Sequence, residues 1–270
     1  MRRIPWLLAA LPLLALARLV PADSSFGLWL RLGAATLVLL LPGRLVARAL
    51  GRRSGASTLA WSLVAVAAGL SLTVFLGGSL WVAAAVLAGI ALVALPFSLR
   101  PADEPAQRAR ALVVLGGIGF GILLWHVAGI LRGDALFHLG RVRKLDDFGS
   151  LSLRAVDEFR DGGLHPGYAF PLWHAFLALV ARFGGVDPTG VVLHEPSVVA
   201  PLAFLVLFES GLAVFRSVWL ALAVLASALA LYALAPGGGG SFAQLALPGT
   251  LSRQLLAPAL VAAFFAFVRT

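Results

Sequence analysis

The sequence predicts an all-α membrane protein, a polytopic bundle of about nine transmembrane helices with one long extracytoplasmic loop of short helices. Apolar residues make up 60% of the 270-residue chain and charged residues only 12%, and the mean hydropathy is +0.96. Soluble domains carry about 25% charged residues. The apolar residues also fall in blocks of about 20, the length at which a helix crosses the hydrocarbon core of a bilayer.

The apolar spans divide the chain into three parts: N-terminal transmembrane helices (1–131), an acidic and basic loop (132–166) and C-terminal transmembrane helices (167–270). Span 4–20 also resembles a signal peptide, and a retained membrane anchor is the favoured interpretation. The last apolar run reaches Arg269-Thr270, which fits either a natural end or a truncated chain. The predicted spans are 4–20, 27–43, 57–76, 79–98, 111–131, 167–183, 190–214, 217–235 and 251–268.

The arginines predict the orientation of the bundle, because arginine-rich connections remain in the cytoplasm. One group follows the second span and another follows the fourth, so that both ends lie on the same side. We therefore expect a multi-pass protein of the cell membrane, with a cytoplasmic N-terminus and an extracytoplasmic loop 132–166. The two groups are Arg44, Arg48, Arg52 and Arg53, and Arg100, Arg108 and Arg110.

Composition and motifs exclude several other classes of protein. The chain has no cysteine, so disulfides and thiolate metal sites are not available. The net charge of +9 comes almost entirely from arginines at the ends of apolar blocks, where they meet lipid headgroups, so nucleic-acid binding is disfavoured. The glycines in 116–119 lie inside an apolar span and indicate close helix packing rather than nucleotide binding.

The loop 132–166 concentrates the polar chemistry of the chain, including six of its twelve acids. On a helix, Asp134, His138 and Arg141 would share one face at spacings i, i+4 and i+7. A carboxylate at the membrane surface can accept a proton from a sugar hydroxyl or hold a divalent cation. Arg141, Arg143 and Lys144 are suited to bind the phosphate of a membrane-anchored ligand.

Further polar residues follow the loop. His165, Tyr168 and His174 flank the entry to the sixth span and are candidates for contact with a substrate, although His174 could instead bond a neighbouring helix. Trp173 fits an anchor at the membrane interface. Glu195 and Glu209 lie within apolar spans, where acids are costly. Both are more readily structural than functional, and Glu209 could pair with Arg216.

The stretch Gly133-Asp134-Ala135-Leu136-Phe137-His138-Leu139-Gly140-Arg141-Val142-Arg143, with Tyr168-Ala169-Phe170-Pro171-Leu172 after it, resembles the C-type (GT-C) polytopic membrane glycosyltransferases. In that superfamily an essential acid follows a membrane helix at the start of an extracytoplasmic loop. The resemblance implies transfer of a sugar from a polyprenyl-phosphate carrier, generally with inversion. It implies that Asp134 is the catalytic or metal-binding acid, that His138 occupies a position often aromatic or histidine, and that Arg141 or Arg143 is a nearby basic residue.

The expected function is therefore a glycosyltransferase-like transfer of a hexosyl or pentosyl group, with Asp134 and His138 as catalytic residues. The expected partners are a polyprenyl-phosphate-linked sugar and membrane lipids, with no nucleic acid. A divalent cation, Mg²⁺ or Mn²⁺, is the one cofactor that the acid suggests, with Asp134 as its ligand. A transporter or flippase of a lipid-linked or polar substrate, and a non-catalytic scaffold of the cell envelope, are the alternatives.

Overall fold

The computed structural model describes residues 6–99, 107–149, 171–234 and 242–268. The secondary structure elements within these ranges are all helical, which confirms the predicted all-α class. Short 3₁₀ turns at Trp6–Ala9 and Phe242–Gln244 and a π turn at Ser252–Leu256 accompany the α-helices. The α-helices are α1 Ala10–Ala17, α2 Ser25–Ala49, α3 Gly55–Phe75, α4 Leu80–Ser98, α5 Gln107–Val127, α6 Asp134–Phe148, α7 Leu172–Gly184, α8 Pro188–Phe215, α9 Val218–Leu234, α10 Pro248–Leu251 and α11 Ala257–Val268.

Six helical segments in the described ranges are long and apolar enough to cross a membrane. They are α2, α3, α4, α5, α8 and the continuous segment from α10 to α11, each of which matches a predicted span. Large apolar side chains such as Trp81, Leu92, Leu123 and Leu260 are exposed on them. A surface of this kind is stable against lipid tails and would be a liability in water.

The other three predicted spans are shorter in the structure. In the described part of span 4–20, the 3₁₀ turn Trp6–Ala9 leads into the eight-residue α1, which packs against α2. The described part of span 167–183 is α7, whose 13 residues reach about 20 Å, less than the ~30 Å hydrocarbon core. Span 217–235 corresponds to α9, a 17-residue apolar helix. Of the nine predicted spans, six therefore correspond to long apolar helices in the described part of the chain, and the other three correspond to shorter helices.

Helix α8 is the centre of the bundle and packs against α5, α9 and α11, while α2, α3 and α4 pack against one another. Glycines allow α5 to approach α8 closely. A Cβ atom on Gly117 would lie 2.5 Å from Cα of Pro201, and one on Gly121 would overlap the backbone of Ser197. The predicted role in helix packing is therefore confirmed for Gly117, whereas a Cβ atom on Gly116 or Gly119 would meet no atom within 4 Å.

Helix α7 is packed among α2, α6 and α8, and every side chain from Trp173 to Ala181 is buried. It runs parallel to α6 and in register with it, because His138 contacts His174 and Asp146 contacts Arg182, both 36 residues apart. The Arg182 guanidinium also donates to the backbone carbonyl of Asp146. These contacts fix α6 along one side of α7.

The ends of the helices form two chemically different faces of the bundle. At the arginine face, Nε of Arg48 donates to the carbonyl of Ser98 at 3.1 Å, and Arg110 lies beside Glu209. The two arginine groups that the sequence assigns to one side therefore lie at the same end, except that Arg100 is outside the described residues. Helix α6 lies at the opposite end, which we call the histidine face.

Candidate functional site

The site begins where the chain turns from α5 into α6. Helix α5 ends at Val127, and α6 starts as a separate helix at Asp134 rather than as its continuation. Gly133 makes this turn with φ of +55°, a conformation that side chains disfavour and glycine adopts readily. Asp134 consequently occupies the first turn of α6, where a negative charge is stabilised by the helix dipole.

Asp134 and His138 form the predicted i, i+4 contact. Oδ2 of Asp134 lies 3.3 Å from Nε2 of His138. The side chain of Asp134 is 75% exposed, whereas that of His138 is only 5% exposed. Among the residues that the structure describes, His138 is the one that bonds to this carboxylate. The carboxylate thus contacts a buried ring on one side and is largely exposed among the described residues on the other.

His174 lies directly behind His138. Nδ1 of His138 and Nε2 of His174 are 2.8 Å apart, and the two rings stack with centroids separated by 5.0 Å. His174 is buried beneath α6. Asp134, His138 and His174 therefore form a continuous hydrogen-bonded chain from the exposed carboxylate into the core, which we call the Asp-His-His chain.

Arg141 adds a cation to this cluster. Its side chain is only 3% exposed, and it lies on the same face of α6 as Asp134 and His138. Burial lowers the pKa of His138, the nearby carboxylate of Asp134 opposes that shift, and the charge of Arg141 adds to it. The net shift is downward, so His138 is neutral at neutral pH.

Arg143 belongs to a different contact. Its Nη2 donates to both carboxylate oxygens of Asp187, at 3.2 and 3.4 Å, and to the hydroxyl of Thr189 at 2.8 Å. It lies about 180° around α6 from Asp134, since successive residues are rotated by about 100°. The expected grouping of Arg143 with Asp134 is therefore not what the structure contains. Lys144 is partly buried.

Two predicted site residues, His165 and Tyr168, lie outside the described residues, as does the rest of the loop from 150 onward. Trp173 is described, and its expected role as an interface anchor is wrong. Its ring is buried against Phe176, and its Nε1 donates to the carbonyl of Ala246 at 2.8 Å. A buried Trp needs such a partner for its N–H, and here that partner comes from 73 residues further along the chain.

The described residues around Asp134 offer few direct ligands for a divalent cation. Within the described ranges no three His, Asp or Glu side chains converge on one point. Mg²⁺, however, usually takes only one or two protein carboxylates, with water and substrate phosphate completing its shell. Asp134, exposed and with one oxygen left open by the described residues, fits this donor set.

The two acids within the spans have structural partners. Glu209 accepts from the backbone N–H groups of Gly55 and Ala56, at 3.1 and 3.0 Å, and lies 3.6 Å from Arg110. It caps the N-terminus of α3, so the predicted pairing with Arg216 is wrong. Glu195 is fully buried and accepts from the hydroxyl of Thr36 at 2.6 Å. Thr36 carried no signal in the sequence, because a lone threonine in an apolar helix is common.

No protein-family model, no curated protein and no solved structure matches this chain.

Proposed function

We propose that this protein is a membrane glycosyltransferase-like enzyme that transfers a sugar from a polyprenyl-phosphate donor to an extracytoplasmic acceptor. The observation that carries the proposal is the exposed carboxylate of Asp134, which is bonded to the buried His138 at 3.3 Å and stands at one end of a membrane bundle. Such a carboxylate is available to a substrate that lies at the boundary between lipid and water. The resemblance of 133–143 to GT-C enzymes supports the same assignment.

In the proposed reaction, Asp134 accepts the proton of the acceptor hydroxyl as that oxygen attacks the anomeric carbon of the sugar. The bond from the anomeric carbon to the phosphate oxygen breaks, and polyprenyl phosphate leaves with its electron pair. Attack from the face opposite the leaving group inverts the anomeric centre. His138 orients the carboxylate by donating to Oδ2, so that the second oxygen faces the acceptor.

Cationic groups favour the departure of the phosphate. Arg141 is buried next to the Asp-His-His chain, so its guanidinium would stabilise the developing phosphate charge through its electrostatic field rather than by direct contact. Lys144 lies one position along from Arg143 and adds positive charge to α6. If Mg²⁺ or Mn²⁺ takes part, Asp134 would hold it, and the ion would neutralise charge on the donor phosphate.

The proposed topology follows from the charges at the two ends of the bundle. The clustering of Arg44, Arg48, Arg52, Arg53 and Arg110 at the arginine face supports a cytoplasmic location for that face by the positive-inside rule. The histidine face would then be extracytoplasmic. This arrangement suits a donor whose sugar is presented outside the membrane. The proposed topology does not retain nine crossings, because Asp187 at the start of α8 contacts Arg143 at the histidine face, whereas Glu209 near the end of α8 lies beside Arg110 at the arginine face. Helix α7, between α6 and α8, therefore returns to the histidine face.

The test is Asp134→Asn in the full-length protein, with Asp147→Asn as the matched control. Membranes that contain native acceptors are supplied with a panel of radiolabelled polyprenyl-phosphate hexoses and pentoses, and movement of label out of the donor lipid is measured. Loss of a general base costs about 10²–10⁴-fold in rate, and we expect a loss of that size for Asp134→Asn. Asp147 is also exposed on α6 but faces about 140° away from Asp134, so its variant should transfer within about twofold of wild type.

Normal expression combined with undiminished transfer by Asp134→Asn would remove the proposed role. Equal losses in the two variants would show that the charge of α6 matters rather than one carboxylate.

Transport of a lipid-linked sugar is the second candidate, and Glu195 is the observation that favours it. Buried ionisable groups in membrane spans often mark pathways for ions or substrates, and Glu195 is fully buried between α8 and α2. The same vesicles discriminate the two functions. Movement of labelled donor between leaflets, with no transfer of its sugar to acceptors, would favour the transporter.

A further inference from the structure

The second histidine of the Asp-His-His chain has no assigned task in the reaction proposed above. The sequence suggests that His174 contacts the substrate or bonds a neighbouring helix. In the structure it is 2% exposed and reaches His138 rather than the surface. Its contribution to the site therefore passes through His138.

Hydrogen-bond chemistry restricts the roles of the four ring nitrogens. The carboxylate of Asp134 can only accept, so Nε2 of His138 must carry the proton that it shares with Oδ2. In a neutral imidazole the other nitrogen is then an acceptor. Nδ1 of His138, 2.8 Å from Nε2 of His174, consequently requires a proton on that nitrogen of His174.

The surroundings favour neutral rings over charged ones. His138 and His174 are both buried, and the guanidinium of Arg141 lies close to both of them. A second buried cation beside Arg141 would be opposed by both desolvation and repulsion. Asp134 is the one anion that faces the pair from the described residues, and it contacts His138 only.

We propose that His174 is a positioning residue, whose Nε2–H donates to Nδ1 of His138 and thereby holds His138 in the tautomer that donates to Asp134. Without this bond, Asp134 alone favours the proton on Nε2 of His138, and because the Asp134 carboxylate is largely exposed to water, this preference is weaker than the one that both bonds impose. In the other tautomer, Nε2 would face the carboxylate as one acceptor against another. The orientation of the Asp134 carboxylate toward a substrate thus depends on His174, which lies 40 positions away in the chain. The effect of His174 on catalysis rests on the proposed sugar transfer, whereas the tautomer of His138 does not depend on that proposal.

The packing of α6 against α7 makes this arrangement possible. The two helices are parallel, and the bonds between Arg182 and Asp146 hold their register two turns beyond the histidine pair. A shift by one residue would rotate His174 by about 100° away from His138. The register of the two helices and the tautomer of His138 are therefore coupled.

The test is ¹⁵N NMR of the full-length, histidine-labelled protein in lipid nanodiscs. The chain has five histidines, so single substitutions assign the ring signals. We expect protonated Nε2 and unprotonated Nδ1 for His138 in the wild type. His174→Gln keeps an N–H near the position of the imidazole Nε2 and should preserve this pattern. His174→Leu has no donor and should produce a mixture of tautomers at His138.

Transfer activity supplies a second readout. The loss of a group that orients a functional residue typically costs about 10–100-fold. We expect a decrease of that size in kcat for His174→Leu with KM within about twofold, and recovery to within about threefold of wild type in His174→Gln. Thermal unfolding of each variant identifies one that fails to fold. If His174→Leu fails to fold, the wild-type and His174→Gln spectra still show whether Nε2 of His138 carries the proton.

A proton on Nδ1 of His138 in the wild type, or a tautomer that is unchanged in folded His174→Leu, overturns the inference. The two proposals can fail separately. The predicted tautomers together with full transfer by Asp134→Asn would keep the positioning role and remove the transferase. Loss of transfer by Asp134→Asn together with the opposite tautomer would do the reverse.

Discussion

The two ends of the bundle each hold a carboxylate near a basic residue, but the two acids are used differently. At the arginine face, the side chain of Glu209 is 5% exposed and is bonded to two backbone N–H groups of α3. At the histidine face, the side chain of Asp134 is 75% exposed and is bonded to one imidazole. Both oxygens of Glu209 are bonded within the fold, whereas the described residues bond only one oxygen of Asp134.

This difference shows why an acid within an apolar span is a weaker indicator of function than its cost suggests. The first N–H groups of a helix lack partners within the helix, and a buried carboxylate from another helix can supply them. Glu209 does so for α3 across 154 residues of chain. Among the described residues, Asp134 contacts His138 of its own helix and bonds to no other helix.

Replacement of Glu209 should give the largest loss of stability. Glu209→Ala removes two charge-assisted bonds and leaves buried donors unpaired, so we expect the free energy of unfolding to fall by about 3 kcal/mol. Thermal or denaturant unfolding in detergent measures it. Asp134→Ala is the matched control and should change stability by no more than about 0.5 kcal/mol. Equal losses would erase the distinction between the two carboxylates.

Replacement of Arg182 should have an intermediate effect, because this ion pair at the histidine face is partly buried. Arg182→Ala removes the bonds to the carbonyl and carboxylate of Asp146, and we expect a loss of about 2 kcal/mol. Arg182→Lys keeps the charge but not the planar fork and should recover less than half of it. Hydrogen exchange at the C-terminal end of α6 should accelerate. Unchanged exchange would show that α6 is held in register by other contacts.

Replacement of Arg143 should have the smallest effect, since this residue and Asp187 are both largely exposed. Arg143→Ala should cost about 0.5 kcal/mol or less. The hydroxyl of Thr189, and then Arg143, lower the pKa of Asp187. Because the folded-state pKa is lowered, the stabilisation by this carboxylate is present above its ordinary pKa and is lost as the pH falls through the lowered value. The unfolding midpoints of variant and wild type, measured against pH, should therefore converge in acid. A difference that persists there would mean that Arg143 acts by packing.

Part of the candidate site follows from the local sequence. The helical periodicity of about 3.6 residues per turn places Asp134, His138 and Arg141 on one face of a helix, and the structure shows them on one face of α6. The same periodicity places Arg143 on a different face of α6, although its charge alone suggests a grouping with Arg141. The partners of these residues could not be obtained in this way. Arg143 bonds to Asp187, and His138 bonds to His174, across 44 and 36 residues respectively.

Composition and hydrophobic periodicity were sufficient for the helical class, the membrane environment and six long spans, because each depends on the solvent preference of consecutive residues. The roles of α7, Trp173, His174 and Glu209 depend instead on which helices pack together, and no local pattern contains that information. An imidazole, indole or carboxylate inside a bundle takes the nearest complementary group. That group is set by the contact of helices distant in sequence.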